Sequence, residues 1–376
     1  MLFSDVMHQD AAVRQIQRAL RVGRVPHAIV LSGPEGVGKE MLAERLAAVL
    51  LCAEPRETPP PEEGAGSPDA WLNACGRCTD CELFSAGSHP DFHRIYRTLN
   101  KLHPDKAIRK RKAIDLGVDV IRHFLIDPIG LRPARGRAKA YVVVEADRLN
   151  DSAQNALLKT LEEPPGHSYL ILLSSSGDAL LPTTRSRCRQ IQLRPLPADF
   201  VARRLVEKCG VQPAAARFLA ELTNGSLGLA IQRSEEDLLK RVPAVFRAVE
   251  HAAKDPFAGG RDLIELCDEI AKEFKGDSEA LEADKTALGR RAQCLVLSVV
   301  STVFRDALRL MVGRPPAACE NEPAVAALAR QSSISRIGSS IRQLAAAERQ
   351  INQNGNKGLI FDSVGIAINH AFRPGV

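Results

Sequence analysis

Aromatic residues are scarce in this chain: one Trp, three Tyr and twelve Phe make up 4% of 376 residues. A module that grips nucleic acid by stacking bases on aromatic faces is therefore disfavoured. Long apolar runs are missing too. The longest, CLVLSVVSTVF from Cys294 to Phe304, falls well short of the roughly 18 residues that suggest a membrane span. The opening stretch MLFSDVMHQDAAVRQ has no apolar region of the export-signal kind, so a cytoplasmic location and no membrane partner are expected. Nine cysteines, an odd number without such a signal, argue against a disulfide framework. Charge is not extreme either. A net +6 permits a nucleic-acid neighbour without demanding one.

What is present alternates. AIVL (Ala28 to Leu31), AYVVVE (Ala140 to Glu145), YLILLS (Tyr169 to Ser174) and RQIQL (Arg189 to Leu193) read as strands. Helical runs such as KEMLAERLAAVLL and SAQNALLKTLEE lie between them, and this alternation predicts a mainly parallel sheet covered by helices, an α/β class. After RPLPADF (Arg194 to Phe200) the strand signals stop and helical patterns run to Val376, with breaks at Gly210, Gly225 and the segment 313–323. Three domains are expected: 1–195, a small helical one over 196–245, and a larger helical one over 246–376. The segment EPRETPPPEEGAGSPD (Glu54 to Asp69) is too rich in Pro, Gly and Glu to build a core.

The first motif is GPEGVGKE, Gly33 to Glu40. A strand, a glycine loop and a helix start in that order make a phosphate cradle from free N–H groups and a Lys, here Gly33, Gly36, Gly38 and Lys39. The next position needs a Ser or Thr hydroxyl to hold Mg²⁺, and this chain has Glu40. That carboxylate repels a triphosphate and can pair with Lys39. The second acidic element is altered as well: VVVEADRLN keeps Glu145 but has Val144 where a metal-holding Asp would precede it.

Cys75-x-x-Cys78-x-x-Cys81 places three thiols at chelating spacing, with Cys52 upstream at the end of a helix. Four thiolates form a closed, structural zinc site within a module spanning 52–95. His89 and His93 are the rivals to Cys52 as fourth ligand. A catalytic zinc deaminase would need Pro before the first cysteine of its Cys pair, and Ala74 stands there. The basic stretch KLHPDKAIRKRK (Lys101 to Lys112) reads as a solvated loop. The triplet HPD occurs at 89–91 and 103–105, a repeat read as coincidence.

DSAQNALLKTLEEPP (Asp151 to Pro165), LPTTRSRC (Leu181 to Cys188) and the four-cysteine insert together resemble the AAA+ subunits of the bacterial DNA polymerase III clamp loader, in particular the delta-prime branch. The likeness is strong over residues 20–195 and rests on the order and size of helices beyond. The gamma/tau ATPase branch shares the fold, the zinc module and the SRC element but keeps the GK[ST] loop and the Asp-Glu pair. In TNGSLGLA (Thr223 to Ala230) Gly228 stands where an ATPase subunit carries a phosphate-reaching Arg. The resemblance implies a subunit that binds ATP weakly or not at all and does not hydrolyse it. It implies assembly with gamma/tau and delta subunits in a hetero-pentamer that loads a sliding clamp onto primed DNA. It also implies a lid at 196–245, a collar at 246–376, and an arginine finger, Arg187, reaching a neighbour's ATP. Two other readings remain. One is an active ATPase of the gamma/tau type in which Glu40 and Glu145 share the metal. The other is a zinc-finger DNA-binding protein, against which the lack of an adjacent basic recognition helix speaks.

Overall fold

Apolar runs bounded by turn residues become strands, here β1 (Ala28–Ser32), β5 (Lys139–Val143) and β6 (Ser168–Ser174). Two short strands, β4 (Phe92–Ile95) and β7 (Arg189–Gln192), flank them, and the order is β4-β5-β6-β1-β7 with every pair parallel. In this computed structural model the described residues are 2–59, 70–111, 113–135, 137–235, 238–274, 285–318 and 323–373. Two compact units result, Met1–Leu196 and Pro197–Val376.

Within the first unit the sheet is covered on both faces, as parallel sheets require. Alternation along each strand sorts the side chains. Ile29, Leu31, Val142, Ile171 and Leu173 point to one face, where they pack with α1 (Asp10–Arg21), α2 (Lys39–Leu51) and the cysteine module. Ala28, Val30, Tyr141, Val143, Leu170 and Leu172 point to the other, against the helices around 118–129 and the helix Asp151–Glu162. The helix Asp151–Glu162 begins where the Asn150 side chain accepts from the Ala153 N–H, and Glu163 follows it before Pro164 and Pro165.

Two departures from the expected pattern stand out. The sheet has a fifth strand, β4: its sequence FHRI has no continuous apolar run and lies at the sheet edge. The Pro-rich segment also contributes structure, since β2 (Arg56–Thr58) pairs antiparallel with β3 (Trp71–Asn73) in a separate ribbon. Residues 60–69 of that segment lie outside the described residues.

The second unit holds nine helices and no strand among its described residues, from Ala198–Cys209 to Lys357–Phe372. Gly210 ends the first of them in the left-handed region, at φ +65°. Asp255, Ser333 and Asn356 cap later ones by accepting backbone N–H groups. Residue 245, the expected boundary between two helical domains, lies inside the helix Leu238–Lys254. The fold class is as expected, an AAA+ type parallel-sheet domain followed by helices.

Candidate functional site

The carboxyl ends of parallel strands are where a doubly wound sheet presents its ligand-binding loops. The glycine loop leaves β1 there. Gly33, Gly36 and Gly38 take φ of +153°, +69° and +101°. A Cβ on Gly33 would sit 2.6 Å from the carbonyl oxygen of Leu193, so that glycine is needed for the loop to pass the end of β7. Gly38 precedes the first turn of α2 with no side-chain cap, which leaves the helix start as an anion-type terminus.

Lys39 does not stand open in that cradle. Its Nζ donates to the carbonyl oxygens of Gly33 (2.6 Å) and Pro34 (2.7 Å). Burial holds the ammonium below its ordinary pKa, against the opposing pull of Glu35 and Asp147. Glu40 does not pair with Lys39; it makes an ion pair with Arg94 on β4. The loop therefore carries a cation spent on its own backbone and a carboxylate neutralised by an arginine from the edge strand.

At the end of β5, Val144 packs against the core face and donates its N–H to Ile95 O at 2.8 Å. An apolar side chain there offers no metal ligand. Glu145 follows in the left-handed region, φ +56°, with its Oε2 3.1 Å from Arg97 Nε. Glu40 and Glu145, the two acids required to share a metal in an active ATPase, are thus each held by a different arginine. Asp147 accepts from the Ser175 hydroxyl at 3.1 Å. Arg94 and Arg97 escaped the sequence reading because β4 itself did; their signal is the string FHRIYR.

The four thiols converge. The Sγ atoms of Cys52, Cys75, Cys78 and Cys81 lie within 4.8 Å of one another, a group close enough to hold a metal ion. Individual separations are 3.9 Å (Cys52–Cys78), 3.9 Å (Cys75–Cys81) and 3.6 Å (Cys52–Cys81). A Zn–S bond of about 2.3 Å in a tetrahedron puts sulfurs roughly 3.8 Å apart, so donor set and spacing both fit zinc. Local structure sets this up. Cys52 ends α2, Cys78 precedes α3 (Thr79–Ser85), and Gly76 turns at φ +74° so that its N–H reaches the Cys81 sulfur. Backbone donors to thiolate sulfur, here also the Cys75 N–H to Cys52, are the supporting contacts such a site needs.

Neither histidine joins the group. Nδ1 of His89 accepts the Asp91 N–H at 3.1 Å, while its Nε2 faces Asp80 Oδ1 at 3.6 Å. His93 stacks on Tyr141 with ring centroids 4.6 Å apart. The repeated HPD proves structural: Nδ1 of His103 accepts the Asp105 N–H, also at 3.1 Å, so both copies fold into the same turn. Within the basic stretch, Arg109 bonds the His103 carbonyl and Arg111 pairs with Asp119; Lys112 lies outside the described residues.

The SRC element is a turn between the short helix Pro182–Arg185 and β7. The Ser186 hydroxyl donates to Thr183 O at 3.1 Å, and Cys188 packs onto the core, where burial pushes its thiol up to about 12. Arg187, between them, is partly exposed. Its Nε donates to Glu162 Oε1 at 2.6 Å, its Nη2 pairs with the same oxygen, and Nη1 donates to Thr183 O at 2.9 Å.

Residues 8–197 match the family described as DNA polymerase III, delta subunit. The chain is 29% identical to DNA polymerase III subunit delta' of Escherichia coli (strain K12), over 95% of its own length and 92% of that protein's. With subunit delta' of Pseudomonas aeruginosa it shares 38% identity over 53% of each chain. With subunit tau of Escherichia coli (strain K12) it shares 32% identity over 62% of this chain but 32% of that one. The match spanning the sheet and all three sites, together with the likeness to a delta' protein over nearly the whole length, shows that the chain belongs to the DNA polymerase III delta-subunit family, on its delta-prime branch.

Proposed function

We propose that this chain is a subunit of a bacterial clamp loader that does not hydrolyse ATP and acts on the ATP of a neighbouring gamma/tau subunit through Arg187. Its partners would be gamma/tau and delta subunits in a hetero-pentamer, and through that complex a sliding clamp and primed DNA. Residues 196–245 would serve as lid and 246–376 as collar. The thiolates of Cys52, Cys75, Cys78 and Cys81 would hold one zinc, which supplies a cross-link and, with four protein ligands, no open position for a reacting water.

A single observation carries the reading: the nucleotide positions lack the metal-holding side chains an ATPase needs, while the SRC arginine, Arg187, is present and partly exposed. Lys39 binds loop carbonyls, Glu40 is paired with Arg94, and Val144 is apolar. Gly228 lacks a side chain where an active subunit has an Arg. Arg187, by contrast, is a partly exposed guanidinium at the SRC turn, held by Glu162 and the Thr183 carbonyl, with no nucleotide of its own to serve. A guanidinium supplied in trans stabilises charge on the phosphoryl group as water displaces ADP, an effect of roughly 10³–10⁵ in rate in GTPase systems.

The experiment is Arg187→Ala in a loader reconstituted with an active ATPase subunit. Assembly, checked by size, should persist, and DNA- and clamp-stimulated hydrolysis should fall. Lys should substitute poorly, because it lacks the planar fork of donors that phosphate oxygens need. Hydrolysis at the unmodified rate in assembled loader would reduce Arg187 to a surface charge.

A further inference from the structure

We propose that Glu162 is a positioning residue for Arg187, fixing the guanidinium plane so that its remaining donors face a phosphate across a subunit interface. This rests on the trans-acting role of Arg187 proposed above. A guanidinium has five N–H donors: one on Nε and two on each terminal nitrogen. Glu162 takes Nε and one position on Nη2, and the Thr183 carbonyl takes one on Nη1. One N–H on each terminal nitrogen is left over. Those two donors remain for phosphate oxygens.

Glu162 is placed to do this because its own position is set. It is the last residue of the helix Asp151–Glu162, and Pro164 and Pro165 close the chain behind it. Proline removes a donor and pushes the preceding residue out of helical conformation, so the helix cannot extend past this point. The carboxylate and the SRC turn approach from segments 25 residues apart, and their contact gives the arginine one orientation out of its many rotamers.

The pair is not there for the fold. Arg187 is 33% exposed and Glu162 47%, and an ion pair in that setting is screened and adds little to stability. A half-exposed carboxylate that neither packs in the core nor stabilises much has its effect on where the arginine points. Removing it should leave the chain folded and the loader assembled, so a change in hydrolysis that depends on Arg187 reads the orientation.

The test is a double-mutant cycle in the reconstituted loader, with hydrolysis by the partner ATPase followed over a range of ATP concentrations. Glu162→Ala should lower kcat about tenfold with KM unchanged, below the ~10²-fold that a 1 Å misplacement can cause. Glu162→Gln, which keeps an acceptor oxygen, should recover most of that loss. In the Arg187→Ala background, Glu162→Ala should add nothing. If Arg187→Ala slows hydrolysis while Glu162→Ala leaves it at the unmodified rate, the positioning role is wrong and the arginine reading stands. If Glu162→Ala lowers hydrolysis equally with and without Arg187, its effect is structural and the proposal also fails. If Arg187→Ala itself changes nothing, the arginine reading falls and this inference with it.

Discussion

Replacing Cys78 with Ser tests the thiolate centre with the least collateral damage. Of the four cysteines it is the one not fully buried, so a hydroxyl there adds little cost from an unsatisfied polar atom. Cys52, Cys75 and Cys81 are buried among the side chains that cover one face of the sheet. With sulfurs already 3.6–3.9 Å apart, a bound zinc needs little rearrangement, and losing one ligand removes a cross-link joining the end of α2 to the start of α3. Loss of a metal belongs among the few single changes that cost about 4 kcal/mol or more. At roughly 2–4 °C per kcal/mol for a unit of this size, the first unit should melt roughly 8–16 °C lower. Elemental analysis should find one zinc per unmodified chain and well under one in the variant. Chelation should lower the melting temperature of the unmodified protein by a similar amount and barely affect the variant. A zinc-free protein purified without chelator, or a Cys78→Ser protein with full zinc and unchanged melting, would refute the reasoning.

Glu40→Ser alone should give no ATP turnover by the isolated chain, because Val144 still leaves the metal without its carboxylate; a turnover assay with excess Mg²⁺ checks it. Lys39→Ala should lower stability by about 1–3 kcal/mol in urea titration, since it removes two charge-assisted hydrogen bonds from a half-buried strut. Gly33→Ala should be worse tolerated than Gly38→Ala, although both have positive φ, because only the first meets backbone at 2.6 Å; their urea midpoints rank them. Burial first, then the charges of Lys139 and His89, hold the His93 imidazole below the ordinary histidine range, with Asp91 opposing. The folded state therefore holds this proton less tightly than the unfolded chain, and stability should fall as pH drops below about 6.5. His93→Gln should flatten that part of a stability-against-pH curve.

The helix KEMLAERLAAVLL and four strands were legible in the sequence: three strands as continuous apolar runs that end at Gly, Pro or polar residues, and RQIQL by the polar–apolar alternation of QIQL. β4 was not, since in FHRI the two polar residues His93 and Arg94 are adjacent, which gives neither an apolar run nor a strict alternation. The thiolate group, Cys52 included, was legible from spacing; the rival histidines fall away in the structure, where His89 Nδ1 accepts the Asp91 N–H and His93 stacks on Tyr141. The pairings that decide the chemistry, Glu40 with Arg94 and Arg187 with Glu162, join residues 54 and 25 positions apart, and no local pattern encodes them. Even the repeated HPD shows its meaning only as a turn in which a ring nitrogen replaces a carbonyl as acceptor.

The ribbon of β2 and β3 pairs Thr58 with Trp71, and the cluster brings Cys52 close to Cys75 a few residues further out. With zinc bound, both ends of the intervening stretch would be fastened twice, once by backbone and once by sulfur. Closing a longer connection between fixed ends costs only about 0.6 kcal/mol for each doubling of length. On that arithmetic, doubling the number of residues between Thr58 and Trp71 would cost far less than breaking the ribbon that fixes its ends.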